Sequence, residues 1–444
     1  MRLHLRATVL FCQTIFLSAF LSGPLAAASP ADWSKVPTET VKLFYPGQGG
    51  YQWLRSPAHK RANKKVIAGD SCVSCHEGEE ADIGELIVSG KKLEPNPIAG
   101  KNGVLDLKVQ ATYDSKNLYL RFQWPTNMDR PGQMHNYLRF DGEKWAFLGG
   151  PRSSNKVQSG KQPPLYEDRL AIMIDDGSVP HFGEQGCWLT CHNGMRDMPE
   201  LAAKADVQAH PVLGKGGLKK KDVRKYLPSS RSDDDASWNQ VKSREEIAKL
   251  KADGQFVDLM QWRAARSNPV GMADDGYVLE YRLFDKGTKM FSWNVDRKTM
   301  TPKYMFDTSK VGMKSLTMSD VGDASKPYAV IKEQNAVPYD SSAGWKKDDV
   351  LPGRLLTRAG AKGSAGDNDD ANGTWKDGVW TVEFTRRLNT GHPQDDKILK
   401  VGKNYTVGFA IHDDNVTTRF HQVGFPLVLG IGTKGDIEAV KVAD

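Results

Sequence analysis

Cysteine is scarce in this chain, with five residues in 444. A small secreted scaffold held together by disulfides is far denser in it. Glycine and proline, at 42 and 23 residues, fall short of a collagenous or low-complexity composition, and 9% aromatics is too many for a disordered one. No apolar run of membrane length follows the first 30 residues, so the rest of the chain does not read as spanning a bilayer. The formal charge of +7 is small for the length, and Arg2 and Arg6 supply two of it. That profile excludes a typical nucleic-acid binder. The length suits one large domain with insertions, or two to three smaller ones.

What is present begins with an export signal. Residues 1–28 read as a secretory signal peptide: Arg2 and Arg6 form a positive start, Val9 to Leu21 an apolar stretch, and Ala26-Ala27-Ala28 a small-residue cleavage site. The expected location is the periplasm, and Cys12 leaves with the peptide. The four remaining cysteines form two tight pairs, each followed at once by histidine: Cys72-Val-Ser-Cys75-His76 and Cys187-Trp-Leu-Thr-Cys191-His192.

Cys-x-x-Cys-His is the pattern of c-type haem attachment, in which two thiols add to one porphyrin and the adjacent imidazole reaches its iron. The competing readings of the first motif are a thioredoxin-like redox pair, half of a zinc site, or a local disulfide. A redox pair follows a strand, and the polar flanks here show none. A zinc site needs a second ligand pair, which only Cys187 and Cys191 supply. The second motif carries one extra residue between its thiols, a rarer haem-binding variant, and competes with a local disulfide or a chance cluster. With both motifs read as haem sites, no cysteine is left over. Two covalent haems c are therefore expected, the alternative being one haem c plus a second haem held differently at Cys187 and Cys191.

Residues 29–100 are polar and rich in proline and glycine, and read as a loop-rich haem segment. From 101 to 444 the pattern is mainly β. Leu105, Leu107, Val109 and Ala111 alternate with polar residues, as do Leu118, Leu120, Phe122 and Trp124. Further strands are expected at Leu170–Ile174, Tyr277–Phe284, Val379–Phe384, Tyr405–Ile411 and Pro426–Leu429. Such a series argues for an antiparallel β-sandwich. Insertions are expected at about 193–255 and 285–378. The first holds one helix, capped by Ser243 with Glu246, sharing a face through Ile247 and Leu250, and stopped at Gly254. The basic run Lys219-Lys220-Lys221 with Arg224 and Lys225 reads as solvated surface. The Gly-, Asn- and Asp-rich stretch 359–378 reads as a plain loop, because Val379 stands where a calcium loop needs Glu.

The segments Tyr166-Glu-Asp-Arg169-Leu-Ala-Ile, Asp258-Leu-Met-Gln-Trp262-Arg-Ala-Ala-Arg266-Ser-Asn, and Trp380-Thr-Val-Glu-Phe-Thr-Arg386 through Pro426-Leu-Val-Leu resemble the haem-binding domain of ethylbenzene and dimethyl sulfide dehydrogenase γ-subunits. The resemblance covers most of residues 100–440. It implies a β-sandwich around one haem, in a subunit that passes electrons from a molybdenum enzyme to a periplasmic acceptor. Those subunits use a Met and a Lys on a non-covalent haem. Here Cys187, Cys191 and His192 stand where the Met is expected, and Arg419-Phe420-His421-Gln422 where the Lys is expected. The resemblance thus implies the same pocket rebuilt for covalent haem, with His192 and His421 on the iron.

An electron-carrying haem closes both axial positions, whereas a catalytic one keeps a position open. For the first haem His59, thirteen residues before Cys72, is the expected partner of His76, with His135 as runner-up. For the second, His421 leads and His412 follows. The expectation is an electron carrier between redox partners such as a molybdenum oxidoreductase, a membrane quinol dehydrogenase or a soluble cytochrome. The alternative is a dihaem enzyme, peroxidase-like or acting on a small sulfur or nitrogen compound, with one open iron.

Overall fold

The computed structural model describes residues 32–126, 136–323, 325–366 and 369–443. The expected signal peptide and the runner-up His135 lie outside them. No helix among the described residues is long and apolar enough to cross a membrane.

Mainly β structure is present, as expected. Thirteen strands form one sheet: β1 (Glu39–Phe44), β2 (Val104–Tyr113), β3 (Asn117–Pro125), β4 (Arg169–Asp175), β5 (Val257–Arg263), β6 (Gly276–Val278), β7 (Arg282–Phe284), β8 (Asp369–Lys376), β9 (Val379–Arg387), β10 (Lys403–His412), β11 (Gln422–Val423), β12 (Leu427–Ile431) and β13 (Ile437–Lys441). The main path runs β8-β9-β3-β2-β1-β11-β10-β4-β5-β6-β7. β12 and β13 then bridge β10 to β2, so β1, β2, β13, β12, β10 and β11 close into a ring. Alternation explains the packing, since inward residues at every second position meet in one core. Phe122, Trp124, Trp262, Phe384 and Phe409 fill it, with Trp262 edge-on to Trp380 at 4.8 Å.

Three local differences from the sequence reading have physical causes. The expected strand Tyr277–Phe284 is broken into the hairpin β6–β7, with Tyr277 opposite Leu283. The stretch read as a loop at 359–378 contains the edge strand β8, paired with β9 along its length. Its glycine is needed there: a Cβ at Gly373 would stand 2.3 Å from the Trp262 ring. The side chain of Asn268 also binds both the N–H and the carbonyl of Gly373. Finally, residues 29–100 are not dominated by loops. They supply β1 to the ring and four short helices: α1 (Tyr51–Arg55), α2 (Ala62–Ala68), α3 (Val73–His76) and α4 (Glu80–Val88). Gly84 lets α4 lie against the start of β2, because a Cβ there would meet the Gly103 carbonyl at 2.1 Å.

The expected helix is present at Arg244–Ala252, with Ser243 and Glu246 forming a reciprocal capping box. Residues 137–148 and 291–356 build small sheets around a separate apolar cluster that includes Tyr137, Phe306 and Leu351. Buried charges are grouped. Glu167 is held low, at about 2, because Arg266, Arg169 and Arg263 outweigh the effect of its burial. Across the sheet, burial and crowding by Asp258, Asp396 and Asp395 push Asp285 up to about 10.

Candidate functional site: two thiol–imidazole cavities

The first cavity lies between α1–α4 and the sheet, with about 1040 Å³ of empty space that is partly open to solvent. Cys72, Cys75, His76 and His59 all line it. Cys72 precedes α3, and Cys75 and His76 fall in its single turn, which holds all three on one side. His59 arrives from the other side on a 3-10 turn, Pro57–His59, that Ser56 caps. The two imidazoles face each other with centroids 6.1 Å apart and planes 18° apart. Two rings bound end-on to one metal ion, at roughly 2 Å per bond, reach about that separation.

Each ring is also oriented from behind. His76 Nδ1 lies 2.9 Å from Glu79 Oε2, and His59 Nδ1 lies 3.0 Å from the Leu54 carbonyl. In both rings Nε2 has no hydrogen bond to the described residues, the usual arrangement of a metal-binding histidine. Burial holds His59 below its ordinary pKa, which favours the neutral ligand form. Burial pushes the Cys72 thiol up to about 11.

The second cavity, with about 840 Å³ of empty space, is cut into the sheet beneath β4, β5 and β10. Cys187, Cys191, His421 and His412 line it together with Met195. Cys187 is packed against strands: its Sγ is 3.8 Å from Met173 Sδ, and a Cβ on Gly408 would stand 3.3 Å from it. Burial pushes this thiol up as well. Lys225 Nζ, from the run read as solvated surface, lies 3.7 Å from Cys191 Sγ and 3.1 Å from Thr190 Oγ1. Arg169, Arg196, Arg224, Arg282 and Arg419 add to it, and no Asp or Glu lines the cavity among the described residues. Arg169, Arg224 and Arg419 are paired with Glu167, Asp222 and Glu94 behind the lining, and Lys225 and Arg282 keep it cationic, suited to a ligand that carries carboxylates.

Its histidines are placed unequally. His421 hydrogen-bonds the Thr418 carbonyl through Nδ1 at 2.5 Å, and burial together with Lys225 lowers its pKa to about 3. His412 lies beside it, with ring centroids 4.8 Å apart, and its Nε2 is 3.2 Å from the same carbonyl. His192 does not line the cavity. Its ring stacks on Tyr226 at 3.8 Å, its Nε2 is 3.0 Å from the Tyr226 carbonyl, and its Nδ1 is 3.3 Å from Gln52 Nε2. The structure thus brings the two thiols and His421 together and turns the His192 ring aside. Met195 lines the cavity and accepts the His192 backbone N–H on its sulfur at 3.2 Å.

The cavities share a wall. Trp188, whose neighbour Cys187 lines the second cavity, itself lines the first, stacked on Phe44 at 5.3 Å and close to Phe425. Helix α1 serves both: Trp53 and Leu54 line the first cavity, while the Tyr51 N–H donates to the Cys191 carbonyl at 2.7 Å. The Cys72 N–H likewise donates to the Glu184 carbonyl at 3.1 Å. Arg419 pairs with the buried Glu94 and pins the N-terminal segment to the loop that carries His421.

Fold and cavities together define a mainly β protein with two adjoining thiol–imidazole cavities. The chain belongs to the ethylbenzene dehydrogenase family, whose model matches residues 31–424. It is similar to cytochrome c-552 of Stutzerimonas stutzeri, 28% identical over 424 residues and 95% of each chain. It is also similar to cytochrome c-551 of Rhodocyclus tenuis, 29% identical over 177 residues, which cover 39% of this chain and 60% of that one.

Proposed function

We propose that the chain is an exported, periplasmic c-type cytochrome with two covalent haems, which relays electrons between protein redox partners. A signal peptide over 1–28 directs export, residues 29–100 wrap the first haem, and the remainder holds the second. The names of both relatives support haem c. The observation that carries the reading is the facing pair His59 and His76 in the cavity that also holds Cys72 and Cys75. Bound there, haem supplies a one-electron change at iron. The protein's own residues anchor the ring through Cys72 and Cys75, and orient both imidazoles through Glu79 and Leu54. Phe44, Trp188 and Ile83 exclude water from the ring face.

At the second cavity the same reading gives Cys187 and Cys191 as anchors and His421 as one axial ligand. The arginines and Lys225 balance the ring's carboxylates. His192 would serve there only with its ring turned off Tyr226, on which it stacks. The orientation of His192 favours a second reading in which that iron keeps an open position, so that the protein acts on a small anion drawn by the surrounding cations. A pyridine haemochrome assay on the purified protein tests the haem count, and the Cys187→Ala/Cys191→Ala variant is expected to lose half the covalent haem. An unchanged count removes the second site. A wholly low-spin oxidised spectrum supports the carrier. High-spin iron, or tight cyanide binding to one haem, supports the second reading.

A further inference from the structure

Among the described residues the two cavities share no lining residue, yet one contiguous apolar cluster walls both. Phe44, Trp188 and Phe425 of that cluster line the first cavity, and Met173 and Cys187 line the second. The three aromatic rings form a closed group. Phe44 lies 5.3 Å from Trp188 and 5.2 Å from Phe425, and Trp188 lies 5.5 Å from Phe425. All three are buried. Cys72, an anchor of the first cavity, packs against the same cluster.

Trp188 differs from the two phenylalanines in its backbone. It follows Cys187 directly, so a wholly covalent path runs from its indole across one peptide bond to Cys187 Sγ. Both residues sit in the 3-10 turn Gly186–Thr190. Successive side chains in such a turn diverge by about 120°, which sends one into each cavity. Thr190 Oγ1 donates to the Cys187 carbonyl at 2.8 Å, and the Cys191 N–H to the Trp188 carbonyl at 3.1 Å, so the turn is held in this form. Phe44 ends β1 and Phe425 follows β11, and neither is bonded to an anchor of the second cavity. Two hydrogen bonds also cross between the sites, but each has one end outside the cavities. The Tyr51 N–H reaches the Cys191 carbonyl, and Tyr51 does not line the first cavity; the Cys72 N–H reaches the Glu184 carbonyl, and Glu184 does not line the second.

We propose that Trp188 is the residue through which the two sites exchange electrons, a role that rests on the dihaem reading above. Exchange between buried groups weakens steeply with the gap between them, and less steeply along covalent bonds and conjugated rings than across van der Waals contacts. Trp188 supplies both of the favourable elements, a conjugated ring at the first cavity and a bonded path to the anchor of the second. The step is a single-electron exchange. One iron passes from ferrous to ferric as the other passes from ferric to ferrous; no proton moves, no bond is made or broken, and the indole is not itself oxidised.

The test uses the full chain carrying its haems. One haem is reduced by a laser flash with a ruthenium photosensitiser, and absorbance follows the electron to the other. The exchange is expected to slow several-fold in Trp188→Leu, and less in Trp188→Phe, which keeps a ring at the position. Phe425→Leu, on the same wall but without the covalent link, leaves the rate unchanged. Midpoint potentials are measured for every variant, because a disturbed haem shifts them and a lost route does not. An unchanged rate in Trp188→Leu, an equal loss in Phe425→Leu, or a loss that a shifted potential accounts for overturns the proposal. Where Trp188→Leu fails to fold, Trp188→Phe against Phe425→Leu decides by the same criteria. One haem per wild-type chain by pyridine haemochrome removes the dihaem reading and this inference together, whereas two haems with an unchanged rate remove this inference alone.

Discussion

Cys75 is exposed and His76 half-buried at the tip of a one-turn helix, whereas Cys187 and Cys191 lie at 4% and 9% exposure under the sheet. The first cavity takes its covering wall from four short helices; the second is carved from β4, β5 and β10. The first is walled by apolar groups with two facing imidazoles; the second is ringed by cations, with His421 facing in and His192 facing out. On the proposed reading, the contrast separates two ways of building a haem site. In one, local sequence does nearly everything, because the anchors, one ligand and its orienting carboxylate fall within Cys72–Glu79. In the other, the groups come from residues as distant as Arg169 and His421, and the fold must assemble first.

That contrast can be broken by mutation. The largest effect is expected at the shared wall. Trp188→Ala removes a buried indole stacked on Phe44 and should cost about 3–5 kcal/mol in denaturant unfolding. Trp53→Ala, at a half-buried position of the first cavity, should cost clearly less. Equal losses would show that the first site is as deeply structural as the second.

Next comes pH. His421 sits at about 3 when folded, against 6.5 for a free ring, because burial and Lys225 disfavour its charge. The unfolded chain therefore binds a proton that the folded chain refuses. Stability is complete above about pH 6.5 and declines as pH falls towards 3, by up to about 1.4 kcal/mol per pH unit. Metal ligation also keeps the ring neutral, so the sign is the same with haem bound. Burial also holds His412 and His192 well below the usual range, so His421→Gln should reduce the slope of denaturant midpoints against pH without abolishing it, whereas His59→Gln, half-buried and held by one backbone carbonyl, should change it little.

A smaller effect is expected at the helical insertion. Ser243→Ala removes one side of the capping box and should cost about 1 kcal/mol by thermal melting. The smallest is His59→Ala, which should shift stability by about 0.5 kcal/mol or less while turning the first haem high-spin. A large stability loss from His59→Ala would erase the distinction between the sites.

The same contrast governs what could be read from sequence. The strands at 104–125, 379–387 and 403–412 were legible because alternation over long runs records which face is buried, and the strand at 169–175 because its apolar run is continuous and buried throughout. The Ser243–Glu246 cap was legible because its partners are three residues apart. The cluster of Cys72, Cys75, His76 and His59 was readable from spacing alone. β1 was missed because a six-residue strand inside a polar, glycine-rich stretch leaves little periodic signal, and β8 because Gly373 exists for the Trp262 ring, which no local pattern shows. The outward turn of His192 depends on Tyr226 and Gln52, and the crowding of Asp285 on Asp258, Asp395 and Asp396, which come from distant segments. Neither has a local signature. Trp188 adjoins Cys187 in sequence, yet its ring lines the first cavity.

β1 gives the molecule a schedule. It is the first strand in chain order among the described residues, yet its ring neighbour β11 and the bridging strands β12 and β13 come from residues 422–441. Pairings so remote in sequence form slowly. While the ring waits to close, the helical hydrogen bonds of α3 lie within a few residues of one another, whereas the Cys72 N–H must wait for the Glu184 carbonyl. On the proposed reading, haem can be attached at the first site before β11 to β13 arrive, whereas the second site comes into being only with them.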